Sequence, residues 1–194
     1  MKIFTSIFII MLLLLSGCSS KPSLELISST VDIRDDRSGG IGITSGEREG
    51  EMIQPISLSY RFVLKNTGKK TLGGMEKFNN ETFEAEDGIK IYIEPNENLR
   101  EITEEVIGLN MYNEEEMQQA NLSLGKTSNP ILGPNQEGEY TFDFDLGALE
   151  ENPVIRIAPS SEQLDKLKRN AMDATLIVSI EKEEIARFNL NNSN

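Results

Sequence analysis

Apolar and polar side chains alternate along much of this chain. Alternation with a period of two marks a strand with one buried face. The cleanest run is Ile56, Leu58, Tyr60, Phe62 and Leu64, interleaved with Ser57, Ser59, Arg61 and Val63 and ended by the turn signal Asn66-Thr67-Gly68. Ile89, Ile91 and Ile93 alternate with Lys90 and Tyr92. Tyr140, Phe142, Phe144 and Leu146 alternate with Thr141, Asp143 and Asp145. Ala174, Leu176, Val178 and Ile180 form another run, and Ala186, Phe188 and Leu190 follow closely enough for a hairpin across residues 181–184. Near the start, Leu24 and Leu26 are out of phase with Val31 and Ile33, a slip that a β-bulge near Ser28-Ser29 repairs. Val154 to Ile157 is a shorter candidate.

Helical spacing replaces alternation in three places. Leu99, Ile102, Val106 and Ile107 predict a helix with Asn96 and Gly108 as caps. Met117, Ala120 and Leu124 predict a short second helix after Asn113, with Glu114-Glu115-Glu116 as the acidic first turn that the helix macrodipole favours. Ser160 with Gln163 reads as a capping box ahead of Leu164, Leu167 and Ala171. The first two helices make a helical insertion over residues 96–124. Residues 34–53, with five glycines and many charges, match neither period. They are expected as a flexible loop in which Ile41 and Ile43 form a brief edge strand. Seven or so strands joined by turns predict a mainly β fold. The expectation is an antiparallel β-sandwich with a short helical insertion, in one domain over residues 24–194.

The first 17 residues are of a different kind. Lys2 precedes an almost unbroken apolar run from Ile3 to Leu15, followed by the small residues Ser16 and Gly17. The run is shorter than the ~20 residues of a spanning helix and is built like a secretion signal. Leu15-Ser16-Gly17-Cys18 resembles the lipobox of bacterial lipoproteins. The resemblance implies that residues 1–17 are a lipoprotein signal peptide, that the Cys18 thiol receives a diacylglyceryl group, and that cleavage falls just before it. A thiolate suits thioether formation, and two acyl chains hold where one attaches only reversibly. Residues 18–23 are then a short tether. The five residues from Ser19 to Ser23 reach at most about 17 Å, which keeps the domain close to the bilayer.

Charge narrows the partners. Without residues 1–17 the chain keeps 18 basic and 32 acidic side chains, a net charge of −14. Such a chain is not built to neutralise phosphates, so no nucleic-acid partner is expected, and an anionic bilayer repels it. Histidine is missing from the sequence, which removes Ser-His-Asp and Cys-His catalysis and most zinc sites. Carboxylates are the remaining chemistry. Asp143 and Asp145 share one strand face and would suit a hydrolase or a hard cation, or else the solvated face of a sandwich strand. Asp32, Asp35 and Asp36 border the glycine-rich loop and are weak candidates for calcium, without the spacing of an EF-hand loop. Tyr60, Tyr92, Tyr112 and Tyr140 would line a ligand patch or pack in sheets; with no tryptophan, a sugar-stacking platform is hard to build.

Two segments carry a further resemblance. "LSYRFVLKNTGKKTL", residues 58–72, resembles the second strand and following turn of immunoglobulin-like domains in bacterial surface lipoproteins. "LGPNQEGEYTFDFDLG", residues 132–147, is loosely similar to their later Pro-Gly-Glu and aromatic strand. The resemblance implies an immunoglobulin-like sandwich, and a fold alone does not deliver a function. The expected protein is a non-catalytic, lipid-anchored binding module outside a bacterial membrane, at the cell surface if that membrane is the only one. Its expected partners are the membrane, through the anchor, and an envelope protein met by the glycine-rich loop or the helical insertion. No cofactor is expected beyond the calcium option. The alternatives are a cell-envelope hydrolase using Asp143 and Asp145, and a protease-inhibitor-like sandwich, which the strand pattern resembles in part.

Overall fold

The computed structural model describes residues 23–36, 40–80 and 84–192. Residues 1–22, which hold the expected signal peptide, Cys18 and most of the expected tether, lie outside the described residues. Strands occupy 43% of the chain and helices 18%, so the mainly β class holds.

Four strands form one antiparallel sheet. They are β1 (Leu24–Arg34), β4 (Pro55–Asn66), β8 (Leu124–Thr127) and β9 (Glu137–Ala148), in the order β1-β4-β9-β8. Three strands form the other: β7 (Ile89–Pro95), β10 (Ala174–Ile180) and β11 (Glu183–Asn189), in the order β11-β10-β7. The two segments of the fold resemblance lie side by side as β4 and β9, with Tyr60 opposite Phe142 and Leu58 opposite Phe144. Two short hairpins complete the strands: β2 (Ile41–Gly42) with β3 (Met52–Ile53), and β5 (Phe78–Asn79) with β6 (Glu84–Ala85).

The core follows from the alternation. Leu58, Tyr60, Phe62 and Leu64 on β4 are fully buried, and they join Ile89, Ile91, Leu176 and Val178 of the second sheet in one cluster. Burying a side chain of this size contributes about 1.5–3 kcal/mol. The expected bulge is real but falls one residue earlier, between Leu26 and Ser28. It turns Ile27 outward, at 43% exposure.

Among the described residues there are three α-helices: α1 (Glu97–Ile107), α2 (Glu114–Gln119) and α3 (Ser161–Asn170). The Asn96 side chain accepts from the Leu99 N–H, and Gly108 closes α1 in the left-handed region. Ser160 and Gln163 form the reciprocal capping box of α3. Leu124 departs from its expected place in the second helix. It opens β8 and pairs with Phe144. Strand β8 has no sequence signature, being a short edge strand of Leu, Gly, Lys and Thr. Val154 to Ile157 contributes only an isolated bridge between Ile157 and Ala148.

Residues 40–53, within the expected loop, fold against the rest. Ile43 and Ile53 are buried with Ala148 and Ile155 in a small second cluster. Ile41 lies in β2 as expected, while Ile43 follows the strand, and its N–H donates to the Glu51 carbonyl.

Candidate functional site

Register divides the sandwich into two ends. Leu24 pairs with Asn66 and Lys65 with Glu137, so β1 begins where β4 ends and β9 begins. Ile89 pairs with Ile180 at that same end. The described residues of its loops are 67–80, 84–88 and 128–136, with the turn at Glu181-Lys182. Ser23 is fastened there: its carbonyl accepts from the Thr67 N–H at 2.9 Å, and the two hydroxyl oxygens lie 2.6 Å apart. The opposite end holds the β2–β3 hairpin, the starts of α1 and β10, and residues 149–160, since Pro55 pairs with Ala148 and Ala174 with Pro95.

At the far end a shallow cleft runs between the hairpin, the return from the helical insertion and the loop after β9. Ile41, Thr44, Asn121, Ser123 and Val154 line it. Towards the end holding Ser23, a groove of about 280 Å³ opens between β7 and β8. Each of these strands pairs on one side only in its sheet. Ile89, Ile91 and Phe142 line its interior, and Met75, Phe78 and Tyr92 stand about half exposed around it. The Lys126 ammonium lies 5.8 Å from the Phe142 ring centroid and pairs with Glu114. The groove thus combines an apolar interior and exposed aromatic residues with two lysines, Lys90 and Lys126.

Asp143 and Asp145 do share a face, but their surroundings differ. Asp145 is 1% exposed; its carboxylate accepts from Ser57 Oγ at 3.0 Å and Ser123 Oγ at 2.7 Å. Asp143 is half-buried and accepts from Ser59 Oγ at 2.6 Å. A wholly solvated face is therefore incorrect for Asp145. Ser57 and Ser59 stand directly across from the two acids in register, and the fold brings Ser123 onto Asp145 from the insertion. The two serines were legible as alternating polar positions; Ser123 carried no signal.

Asp32, Asp35 and Asp36 line one concave surface with Arg34, Ser59 and Arg61. Asp32 faces Lys168 of α3 at 2.6 Å, which holds its carboxyl below the ordinary value. Arg34, 2.8 Å from Asp36, does the same there. Among the described residues no group of three or more potential metal-binding side chains gathers.

The tyrosines divide as well. Tyr60, Tyr112 and Tyr140 have phenols raised well above their usual range, in each case chiefly by burial. Tyr140 donates to the Asn129 carbonyl at 2.8 Å. Only Tyr92 stands at the groove. Glu116 of the acidic triplet caps its own helix start, accepting from the Asn110 N–H and from Asn113 Nδ2 at 2.9 Å each.

Compared with protein-family models, curated proteins and solved structures, the chain matches none. Among the described residues no helix is long and apolar enough to cross a membrane.

Proposed function

We propose that this chain is a lipid-anchored, non-catalytic interaction module working outside a bacterial membrane. The anchor reading rests on Leu15-Ser16-Gly17-Cys18 behind an apolar run. The observation that carries the binding reading is the division of the sandwich into two ends. The described chain starts at one end, at Ser23, while the β2–β3 hairpin and the start of α1 lie at the other. A domain tied down at the first end presents the second to its surroundings, as an interaction module with an envelope protein partner requires. The serine hydroxyls on Asp143 and Asp145 support a structural role for the acids rather than a hydrolytic one.

The test is Cys18→Ser in a bacterial host that processes lipoproteins. The variant should keep its precursor length and leave the membrane fraction, and the wild type should carry acyl mass on its first residue. Normal processing and membrane retention of the variant would rule the anchor out.

A further inference from the structure

The end that holds Ser23 has an apolar surface of its own. Met75 is 55% exposed, Phe78 46% and Ile131 37%. They come from two loops that the backbone fastens together. Leu72 bridges Leu132, and the Ile89 N–H donates to the Pro130 carbonyl at 2.9 Å. Lys69 and Lys70 stand exposed in the same stretch, after the turn that binds Ser23.

The geometry points to a bilayer as the occupant of this surface. Met75, Phe78 and Ile131 sit at the boundary of headgroups and acyl chains, with Lys69 and Lys70 at the lipid phosphates. The inference rests on the lipid-anchor reading and adds an orientation to it. Covalent reach carries it. The residues between Cys18 and Ser23 span at most about 17 Å, and Ser23 is fixed on Thr67 at the same end of the sandwich as this patch. Strand β4, with 12 residues, is about 40 Å long, so the far end stands more than twice that reach away along the strand. The patch that the tether can hold against lipid is thus the one with exposed Met, Phe and Ile beside lysines, the composition of interfacial contact. The net charge of −14 opposes approach to an anionic surface, so the tether and the apolar contact must provide the attraction.

The chain holds no tryptophan, which makes a single introduced one a clean reporter. The full lipidated chain would be prepared as Phe78→Trp and, separately, as Leu149→Trp. Leu149 follows β9 at the far end and is 70% exposed, so neither change disturbs the core. Each would be reconstituted on phosphatidylcholine–phosphatidylglycerol vesicles with brominated acyl chains. Phe78→Trp should shift to the blue and be quenched several-fold, with Leu149→Trp nearly unaffected. Equal quenching of the two, or an unquenched Phe78→Trp on a chain that floats with the vesicles, overturns the inference and leaves the patch to a protein partner. A chain that neither floats nor carries acyl mass overturns the anchor reading, and this orientation with it.

Discussion

The hydroxyl of Tyr60 lies 2.6 Å from the hydroxyl of Tyr112, and the pair joins three distant parts of the chain. Tyr60 is on β4, Tyr112 is in the helical insertion, and the Tyr60 hydroxyl also donates to the Ala171 carbonyl after α3, at 2.7 Å. Tyr60 has one proton and gives it to Ala171, so Tyr112 is the donor between the two. The Phe144 ring stands edge-on to both tyrosine rings, with centroids 6.0 Å and 5.1 Å away. No disulfide links the two sheets, because the only cysteine is Cys18. The hydrogen-bonded pair therefore helps to fix the insertion and α3 against the first sheet.

Removing the Tyr60 hydroxyl leaves the Ala171 carbonyl and the Tyr112 hydroxyl without their partner. Tyr60→Phe should cost about 1–3 kcal/mol in urea unfolding. Tyr112→Phe leaves the bond to Ala171 intact and should cost about 1 kcal/mol or less. The reverse order would mean that Ala171 is not the main acceptor.

Alkaline pH acts on the same groups. Burial raises the phenols of Tyr60, Tyr112 and Tyr140 in the folded state above their unfolded value of about 10. Between those values the unfolded chain holds fewer protons, so stability falls as pH rises. The contribution is complete below pH about 10 and is lost above it. Tyrosinate absorbance for these three should rise together with the loss of circular dichroism. Ionisation of Tyr60, Tyr112 and Tyr140 in a chain that is still folded would contradict the burial.

Asp145 should matter for stability more than Asp143. Asp145→Ala removes the acceptor of two serine hydroxyls at a site closed to water, and should cost about 2–4 kcal/mol. Asp143→Ala frees one serine at the edge of that site and should cost about 1 kcal/mol or less. Denaturant midpoints give both values. A hydrolase would show another pattern, with activity lost in Asp143→Asn at little change in midpoint.

Gly73 should tolerate no side chain. Its φ is +73°, and a Cβ there would lie 2.0 Å from the Pro130 carbonyl oxygen, which accepts the Ile89 N–H. Gly73→Ala should cost about 2–5 kcal/mol through strain and displacement of residues 128–132. Gly46, at φ +94° with open space around it, should lose only about 1–2 kcal/mol as Ala. Thermal melting of the two variants separates close packing from backbone conformation.

Much of the fold was legible because it depends on local period. Leu58, Tyr60, Phe62 and Leu64 alternate in the sequence and are all 0% exposed in the fold. Caps at Asn96, Gly108 and Ser160 were equally plain, since a helix end is satisfied by residues within a turn of it. Strand β8 was not legible: an edge strand of four residues takes its hydrogen bonds from β9 and needs no pattern of its own. The groove was hidden for a related reason. Phe78 and Tyr92 are separate residues in the sequence, and only the closing of two sheets brings their open edges together.

The sequence by itself determined which face of each strand is apolar, where the helices start, and that chemistry requiring histidine is excluded. Those properties follow from neighbours a few residues apart and from composition. The tertiary structure decided that Asp145 is closed off beneath Ser123, that Ser23 is held on Thr67, and that Met75, Phe78 and Ile131 share one end. Each of these depends on strands paired across long stretches of chain, and a period of two records which side a residue faces but not what will cover it.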